Sequence, residues 1–335
     1  MTLPLDFETR LAAAIDGKTK PLGSLGRLET LAADLARLQD SVSPRLTGCR
    51  LTIFAADHGI AAEGVSAFPS AVTRQMVLNF LGGGAAATVF AAGLGVPVAV
   101  VDAGVAGNPI AHPALIRRRI GPGTASFLAR PAMAACQARA AVEAGRELGA
   151  GPQDTAAAFG EMGIGNTAAA ATLAHKLTGL PLEALVGRGT GLDDEGLARK
   201  RAVLGEAAAR TPDRLEPWEA LREYGGFEIA MMAGAMLGAA ASRRPVLVDG
   251  FIATSAALVA CGLEPEARRA LVFAHCSAEA GHRPLLRHMQ AEPLLDLGMR
   301  LGEGVGALMA WPLLQAAANM LCDMASFESV GVSRR

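Results

Sequence analysis

The chain has 335 residues, 51% of them hydrophobic, and 31 basic residues against 32 acidic ones give a net charge of −1. A chain of this length and composition buries a core, so general disorder is excluded, and it lacks the basic excess of nucleic-acid-binding proteins. Aromatic residues make up only 4%, which leaves few stacking platforms for bases, whereas 39 glycines favour tight turns and close approach to ligands.

Short apolar runs alternate with longer helical patterns through the middle of the chain. We predict strands at Leu51–Ala56, Pro97–Val101, Thr155–Phe159, Ala184–Val186, Val246–Val248 and Leu271–Ala274. Helices are predicted between them at Ser70–Leu81, at Pro131–Leu148 and from Thr167 to Leu177. Because the strands are short and fully apolar, this βαβ rhythm predicts an α/β fold, a Rossmann-like parallel sheet of about six strands flanked by helices.

The two ends of the chain lack strand patterns, and the length suggests about two domains. We therefore predict that residues 46–300 form a large α/β domain that carries the nucleotide site. Residues 1–45 and 301–335 are predicted to form a small helical domain from both chain ends.

Two uncharged stretches, Gln75–Val101 and Gly304–Cys322, are long enough to cross a membrane. The first contains Gly82-Gly83-Gly84 and the second contains Pro312, so we predict buried elements of a core and no membrane span. Five cysteines without a CxxC pair, together with early charged residues that argue against a signal peptide, predict reduced thiols and a cytoplasmic protein.

Two glycine-rich loops are candidate phosphate sites. The run from Gly163 to Ala168 fits GxGxxA, follows a predicted strand and opens a helix, whose N-terminal N–H groups can bind an anion. The run from Gly187 to Gly191 adds the cation of Arg188 and the hydroxyl of Thr190. A nicotinamide-dependent dehydrogenase carries a similar fingerprint, and ordinary tight turns use the same glycines, so these alternatives stay open on the motif alone.

Two glutamates have the surroundings of a general base. Glu161 lies between Gly160 and Met162, and Glu303 lies between two glycines just before 19 uncharged residues. A carboxylate that is accessible but poorly solvated has a raised pKa and is a better base. An acidic residue favoured by a helix N-terminus is the alternative for Glu303. The sequence contains no HExxH or HxH motif, so no metal site is predicted.

Nine segments in chain order resemble the nicotinate-nucleotide–dimethylbenzimidazole phosphoribosyltransferase family, from about residue 18 to residue 325. They are Lys20–Gly26 with Leu28-Glu29, Ala56–Gly59, Gly64–Pro69 with Val72-Thr73 and Gln75-Met76, Gly160–Thr167, Val186–Asp194, Gly225–Ala230, Val246–Ile252, Ser277–His282 and Glu292–Gly304. One small departure is Ala168, where the family pattern has a second threonine.

The resemblance implies a reaction. The 5-phosphoribosyl group of nicotinate mononucleotide would pass to 5,6-dimethylbenzimidazole, giving α-ribazole 5′-phosphate and nicotinate, in assembly of the lower ligand of cobalamin. It also implies a homodimer without a metal or redox cofactor. A dehydrogenase and a non-catalytic nucleotide binder are the alternatives.

The resemblance also implies roles for particular residues. Glu303 would be the general base, and Glu161 and Lys200 would support the ribosyl group and the phosphate. The nucleotide contacts would come from Gly163, Ile164, Gly165, Asn166, Thr167, Gly189, Thr190, Gly191, Asp249, Gly250 and Ser277. The slot for dimethylbenzimidazole would lie near Ser66, Phe68, Gln75 and Met76.

Overall fold

The computed structural model of the protein describes residues 6–333 and contains one sheet of six parallel strands. The strands are β1 (Gly48–Ala56), β2 (Val98–Gly104), β3 (Leu115–Arg117), β4 (Thr155–Met162), β5 (Val246–Val248) and β6 (Leu271–Phe273). Their spatial order is β3-β2-β1-β4-β5-β6, so the order reverses between β1 and β4. In parallel sheets of this kind, ligands bind beyond the carboxyl ends of the strands near that reversal.

Helices cover both faces of the sheet. Along the first half of the chain they are α1 (Phe7–Asp16), α2 (Arg27–Gln39), α3 (Ala71–Leu81), α4 (Ala86–Gly93), α5 (Ala135–Gly149) and α6 (Asn166–Thr178). Along the second half they are α7 (Leu182–Leu185), α8 (Asp194–Ala208), α9 (Pro217–Tyr224), α10 (Phe227–Ala241), α11 (Phe251–Leu263), α12 (His282–His288), α13 (Val305–Cys322) and α14 (Phe327–Val330). Two 3-10 helices add Gly59–Glu63 and Pro265–Ala270.

The predicted sheet is confirmed, with one strand exchanged for another. Ala184–Val186 was predicted as a strand and this is wrong, because Leu182–Leu185 is a short helix that begins after Pro181. Three apolar residues are too few to show a period of 2 or of 3.6. The sixth strand is instead Leu115–Arg117, an edge strand whose flanking Pro113 and basic residues hide it in the sequence.

Side chains of successive strand residues point to opposite faces and build two separate cores. Phe54, Phe159 and Val248 lie in the core beneath α5, α6, α10 and α11. Ile53 and Leu247 lie in the other core, which is shared with α2, α4 and α13. The sheet is therefore buried on both faces, as its fully apolar strands predict.

The two ends of the chain meet on one face of the sheet. Lys18 Nζ donates hydrogen bonds to the carbonyl oxygens of Leu321, at 2.8 Å, and Met324, at 2.7 Å. Helix α2 packs against α13, and α13 also contacts β4 and β5. The division into a large domain and a small domain of both ends stays a prediction.

Two apolar stretches have the length and composition of a membrane span, Ala71–Gly93 and Val305–Cys322. The first is broken into α3 and α4 by the turn after Leu81. The second is α13, most of which is buried inside the fold, as expected for the core helix of a globular protein.

Candidate active site

A cleft lies beyond the carboxyl ends of β4, β5 and β6, where the fold predicts a ligand site. Its walls are Glu161, Met162, Gly163, Ile164, Asn166, Thr167, Gly189, Thr190, Asp249, Gly250, Phe251, Ile252, Ala253, His275, Ser277, Glu279, Arg300, Leu301, Gly302 and Glu303. Eleven of the residues predicted for the site line this cleft together.

Glu303 is held in the cleft by an unusual turn. Gly302, Glu303 and Gly304 all have left-handed backbone conformations, with φ values of 84°, 64° and 86°. A residue other than glycine is strained in the left-handed region of φ, and strained residues of this kind concentrate at functional sites. The turn rests on Gly160 of β4, where an added Cβ would lie 2.3 Å from the Glu303 carbonyl carbon. Gly160 therefore allows the turn to lie directly on the end of the sheet.

The Glu303 carboxyl group is buried and only partly satisfied. The backbone N–H of Ala87, at the start of α4, donates a hydrogen bond to it, which lowers its pKa, but burial has the larger effect and raises that pKa. Among the described residues, Oε2 of Glu303 has no hydrogen-bond partner. This oxygen is therefore free to accept a proton from a bound molecule.

Glu161, at the end of β4, is the second carboxyl group of the cleft. Its side chain is buried, and the amide of Asn166 at the start of α6 donates a hydrogen bond to it. Burial raises the pKa of Glu161 to about 8, helped by the negative charges of Glu228 and Asp249, while the Asn166 hydrogen bond opposes this rise. Burial therefore favours the protonated form of Glu161 near neutral pH.

Asp249, at the end of β5, holds the start of α13. Its Oδ2 accepts from the backbone N–H of Gly304 at 3.2 Å, and its Oδ1 accepts from that of Ala307 at 3.0 Å. Burial raises the pKa of this carboxyl to about 7, against the opposing effect of those N–H groups. Because Gly304 directly follows Glu303, Asp249 fixes the turn that carries Glu303.

The phosphate loops form the other side of the cleft. Helices α6 and α11 both begin there, and their N-cap residues, Gly165 and Gly250, have no side chain to occupy the N-terminal N–H groups. The loop before α6 is held by Ile164, whose N–H donates to Thr73 Oγ1 at 3.1 Å. Open helix N-termini of this kind bind phosphate.

Lys200 lies behind these loops and is fully buried. Its Nζ donates to Thr167 Oγ1 at 2.9 Å, and a Cβ on Gly189 would lie 3.4 Å from that Nζ. Burial lowers the pKa of Lys200 to about 8, and the charge of Glu279 opposes the decrease. The lysine places a cation beneath both loops without itself lining the cleft.

The remaining predicted residues lie outside the cleft walls. Gly165 packs against His58 and Ala61, and Gly191 lines a neighbouring groove with Arg188 and Arg201.

The four residues predicted for the dimethylbenzimidazole slot lie on or just before α3, whose Thr73 contacts Ile164. Phe68 is half-exposed, so it is not a core residue. Met76 packs against the second core. Ser66 is half-buried and Gln75 is exposed.

Sequence reasoning missed several residues of the cleft. His275 lies two residues after β6, and a polar residue after a strand was the available signal. Glu279 accepts from the N–H of Gly189 at 3.4 Å, and Arg300 donates to the Gly189 carbonyl oxygen at 3.1 Å. Nothing local in the sequence indicates that these two side chains frame the second glycine loop.

Comparisons with known proteins agree along the whole chain. A family model described as phosphoribosyltransferase matches residues 3–332. The nicotinate-nucleotide–dimethylbenzimidazole phosphoribosyltransferase of Cupriavidus taiwanensis is 56% identical over 335 residues, covering 98% of this chain and 97% of the relative. The enzyme of the same name from Aromatoleum aromaticum is 53% identical, covering 96% and 94%. The crystal structure of CobT from Thermus thermophilus has a TM-score of 0.93 and 46% identity, covering 98% of this chain and 99% of that one.

A parallel sheet with glycine loops and buried carboxyl groups at its carboxyl edge, matched by this family model, defines an α/β phosphoribosyltransferase. The chain belongs to the nicotinate-nucleotide–dimethylbenzimidazole phosphoribosyltransferase family. The resemblance drawn from the sequence motifs is thereby confirmed, and none of these matches supports a dehydrogenase.

Proposed function

We propose that the protein transfers the 5-phosphoribosyl group of nicotinate mononucleotide to 5,6-dimethylbenzimidazole. The products are α-ribazole 5′-phosphate, nicotinate and a proton, and the reaction serves the assembly of the cobalamin lower ligand. The observation that carries this proposal is the buried Glu303 carboxyl, whose Oε2 has no partner among the described residues. A base in this position suits an acceptor that loses an N–H proton as it attacks.

The bond changes follow from the two substrates. One nitrogen of the benzimidazole attacks C1′ with its lone pair, and the bond from C1′ to the nicotinate nitrogen breaks. The electron pair of that bond neutralises the pyridinium, which leaves as nicotinate. Attack from the face opposite the leaving group inverts C1′ from β to α. The proton on the second benzimidazole nitrogen passes to Glu303.

Glu161 is assigned to the ribosyl group. Positive charge develops on the ribose as the glycosidic bond stretches, and a nearby carboxylate stabilises it. A protonated Glu161 cannot do this, but a bound pyridinium favours the ionised form of a carboxyl beside it. We therefore expect nucleotide binding to release the proton of Glu161 and so prepare the site for bond cleavage.

The 5′-phosphate is assigned to the loops at Gly163–Thr167 and Gly189–Gly191, with Ser277 nearby. The N-termini of α6 and α11, which no side chain caps, supply N–H groups, and Lys200 supplies a buried cation beneath Thr167. Fixing the phosphate holds C1′ at one distance from the carboxyl groups, which contributes through orientation.

The acceptor is assigned to the space between Glu303 and α3. Helix α4 contacts Glu303 through the N–H of Ala87, and α3 contacts the first glycine loop through Thr73. These contacts support the assignment of Ser66, Phe68, Gln75 and Met76 to the acceptor rather than to the phosphate. Phe68 and Met76 give apolar contact, and methionine adapts to rings of different shape.

We also propose that two copies of the chain associate through α3 and α4. Leu78, Val89 and Phe90 are large apolar side chains exposed on these helices. Such a patch is costly in water and is typical of an interface. All five cysteines are free, which supports a working place in the reducing cytoplasm.

The test of the reaction is a product assay. Purified protein is incubated with nicotinate mononucleotide and dimethylbenzimidazole in the presence of a chelator, and products are identified by chromatography and mass. We expect α-ribazole 5′-phosphate and nicotinate in equal amounts. If both substrates remain intact while a panel of other bases also gives no product, the proposed reaction is wrong.

A further inference from the structure

A second buried ionisable pair lies directly beneath the first glycine loop. His58 Nε2 and Glu228 Oε1 are 2.5 Å apart, and both side chains are completely buried. His58 follows β1, and Glu228 lies in the first turn of α10, 170 residues along the chain. Neither residue lines the cleft, so the mechanism above does not use them directly.

Glycines enclose this pair on two sides. A Cβ on Gly163 would lie 3.2 Å from His58 Cδ2 and 3.3 Å from Glu228 Oε1, so the loop rests on both side chains. A Cβ on Gly226 would lie 2.2 Å from His58 Cε1. The pair is therefore packed between the start of α10 and the loop assigned to phosphate.

The pair is also incompletely satisfied. Within residues 6–333, His58 Nδ1 and Glu228 Oε2 have no hydrogen-bond partner although both atoms are buried. Buried polar atoms without partners are costly, and each one in a folded protein calls for a reason. A pair of nonpolar side chains would fill the same space without that cost.

One member of the pair, Glu228, contributes to the raised pKa of Glu161. Three acids from three elements act on the Glu161 carboxyl: Glu228 on α10, Asp249 at the end of β5, and Glu303 before α13. Glu228 is the strongest of the three, after burial itself, while the Asn166 amide acts in the opposite direction. His275 Nε2 lies 3.8 Å from Asp249, and His58 is the partner of Glu228.

We propose that His58 and Glu228 form a positioning pair for the transfer reaction, which supports the Gly163–Gly165 loop from beneath and holds the Glu228 carboxyl in the position from which it acts on Glu161. The pair acts through Glu161 and the loop, and touches no substrate. The role in catalysis rests on the proposed function, whereas the effect on Glu161 can be measured without turnover.

The test is Glu228→Gln, which keeps the size of the side chain and removes its charge. The protonated carboxyl of Glu161 is followed by infrared spectroscopy through a pH titration of the full-length protein, and its band is assigned by its loss in Glu161→Gln. Because one negative charge no longer faces it, we expect the midpoint of Glu161 to fall by about one pH unit. The matching limb of the kcat/KM profile should move in the same direction.

The control is Glu223→Gln. Glu223 is also a buried glutamate, but it pairs with Arg210 at 3.0 Å and with Arg222 at 2.5 Å. Its loss should lower the melting temperature and leave the Glu161 midpoint unchanged. A general loss of packing would instead affect both variants alike.

His58→Gln is the second variant, needed if Glu228→Gln does not fold. It removes the imidazole that contacts Glu228 Oε1, so this carboxyl acts on Glu161 without its partner and the midpoint of Glu161 should rise. If the titration midpoint of Glu161 is unchanged in both variants, the proposed positioning role of His58 and Glu228 is wrong. A moved midpoint in a protein that forms no α-ribazole 5′-phosphate would uphold the pair's effect on Glu161 and reject the proposed reaction instead.

Discussion

Three helices begin at the cleft, and their N-terminal N–H groups differ in whether a protein side chain accepts hydrogen bonds from them. At α13 the N-terminal N–H groups are occupied by the Asp249 carboxyl, and the turn before the helix presents Glu303. At α6 and α11 the N-cap residues are glycines, so no cap side chain accepts from the N–H groups that begin these helices. On the carboxyl side, the start of α13 therefore binds a carboxyl group of the protein. On the phosphate side, the starts of α6 and α11 can bind a ligand.

This difference separates two tasks that a transferase must perform. The carboxyl side gathers the three buried acids Glu161, Asp249 and Glu303, whereas the phosphate side gathers backbone N–H groups over one buried cation. Changes on the carboxyl side should therefore alter kcat, and changes on the phosphate side should alter the KM of the nucleotide.

The largest effect is expected for Glu303→Gln. The amide keeps the shape of the side chain but cannot accept the benzimidazole proton, so kcat should fall by about 100-fold or more. Binding of nicotinate mononucleotide, measured by calorimetry, should change little. The matched control is Glu264→Gln, a surface glutamate paired with Arg146 at 2.6 Å, which should leave kcat unchanged. Near wild-type turnover of the purified Glu303→Gln protein would remove Glu303 from its role as base.

On the phosphate side, Lys200→Met should raise the KM of nicotinate mononucleotide by about tenfold, the scale of one lost charged interaction. The KM of dimethylbenzimidazole should stay within about twofold. Lys176→Met is the matched control, because Lys176 is equally buried but donates to the carbonyl oxygens of Thr211 and Pro212. It should cost stability without changing either KM. Equal increases in both KM values of Lys200→Met would contradict a role at the phosphate.

The sequence predicts the parts of this site that depend on local pattern. Strand ends follow from short apolar runs that stop at polar residues, and Glu161 and Glu303 stand out because glycines flank them. The nine motifs add the family and its reaction, which composition and periodicity alone do not reach.

The other features of the site depend on contacts between segments that are distant in the sequence, and the sequence did not predict them. Lys200 lies between Arg199 and Arg201 and has the sequence surroundings of a solvated surface residue, yet its side chain is buried. Asp249 caps a helix that begins 56 residues later, and Glu228 meets a histidine 170 residues before it. No local period encodes such pairings.

A smaller effect is expected for Asp249→Asn. The amide replaces one acceptor oxygen by a donor that faces the α13 N–H groups, so the Glu303 turn should loosen and kcat should fall by about fivefold, with about 1–2 kcal/mol less stability. Asp102→Asn is the comparison, since Asp102 is a buried aspartate at the end of β2 that accepts from the Val105 N–H at 2.9 Å. It should lose stability without losing kcat. A Asp249→Asn protein with unchanged kcat would show that the turn does not need this cap.

The last effect is on stability rather than on turnover, and it depends on pH. The pKa of Glu161 is raised from 4.5 to about 8, so between these values the folded protein binds more protons at this position than the unfolded chain. Stability at this site therefore decreases as the pH rises from about 4.5 through about 8. Glutamine is a neutral match for protonated glutamate, so Glu161→Gln should be close to the wild type near pH 4 and should exceed its free energy of unfolding by about 4 kcal/mol at pH 8. Denaturant unfolding at both pH values measures this. A wild-type advantage at pH 8 would mean that Glu161 is ionised and stabilised before nucleotide binds, and the proposed release of its proton on nucleotide binding would then be wrong.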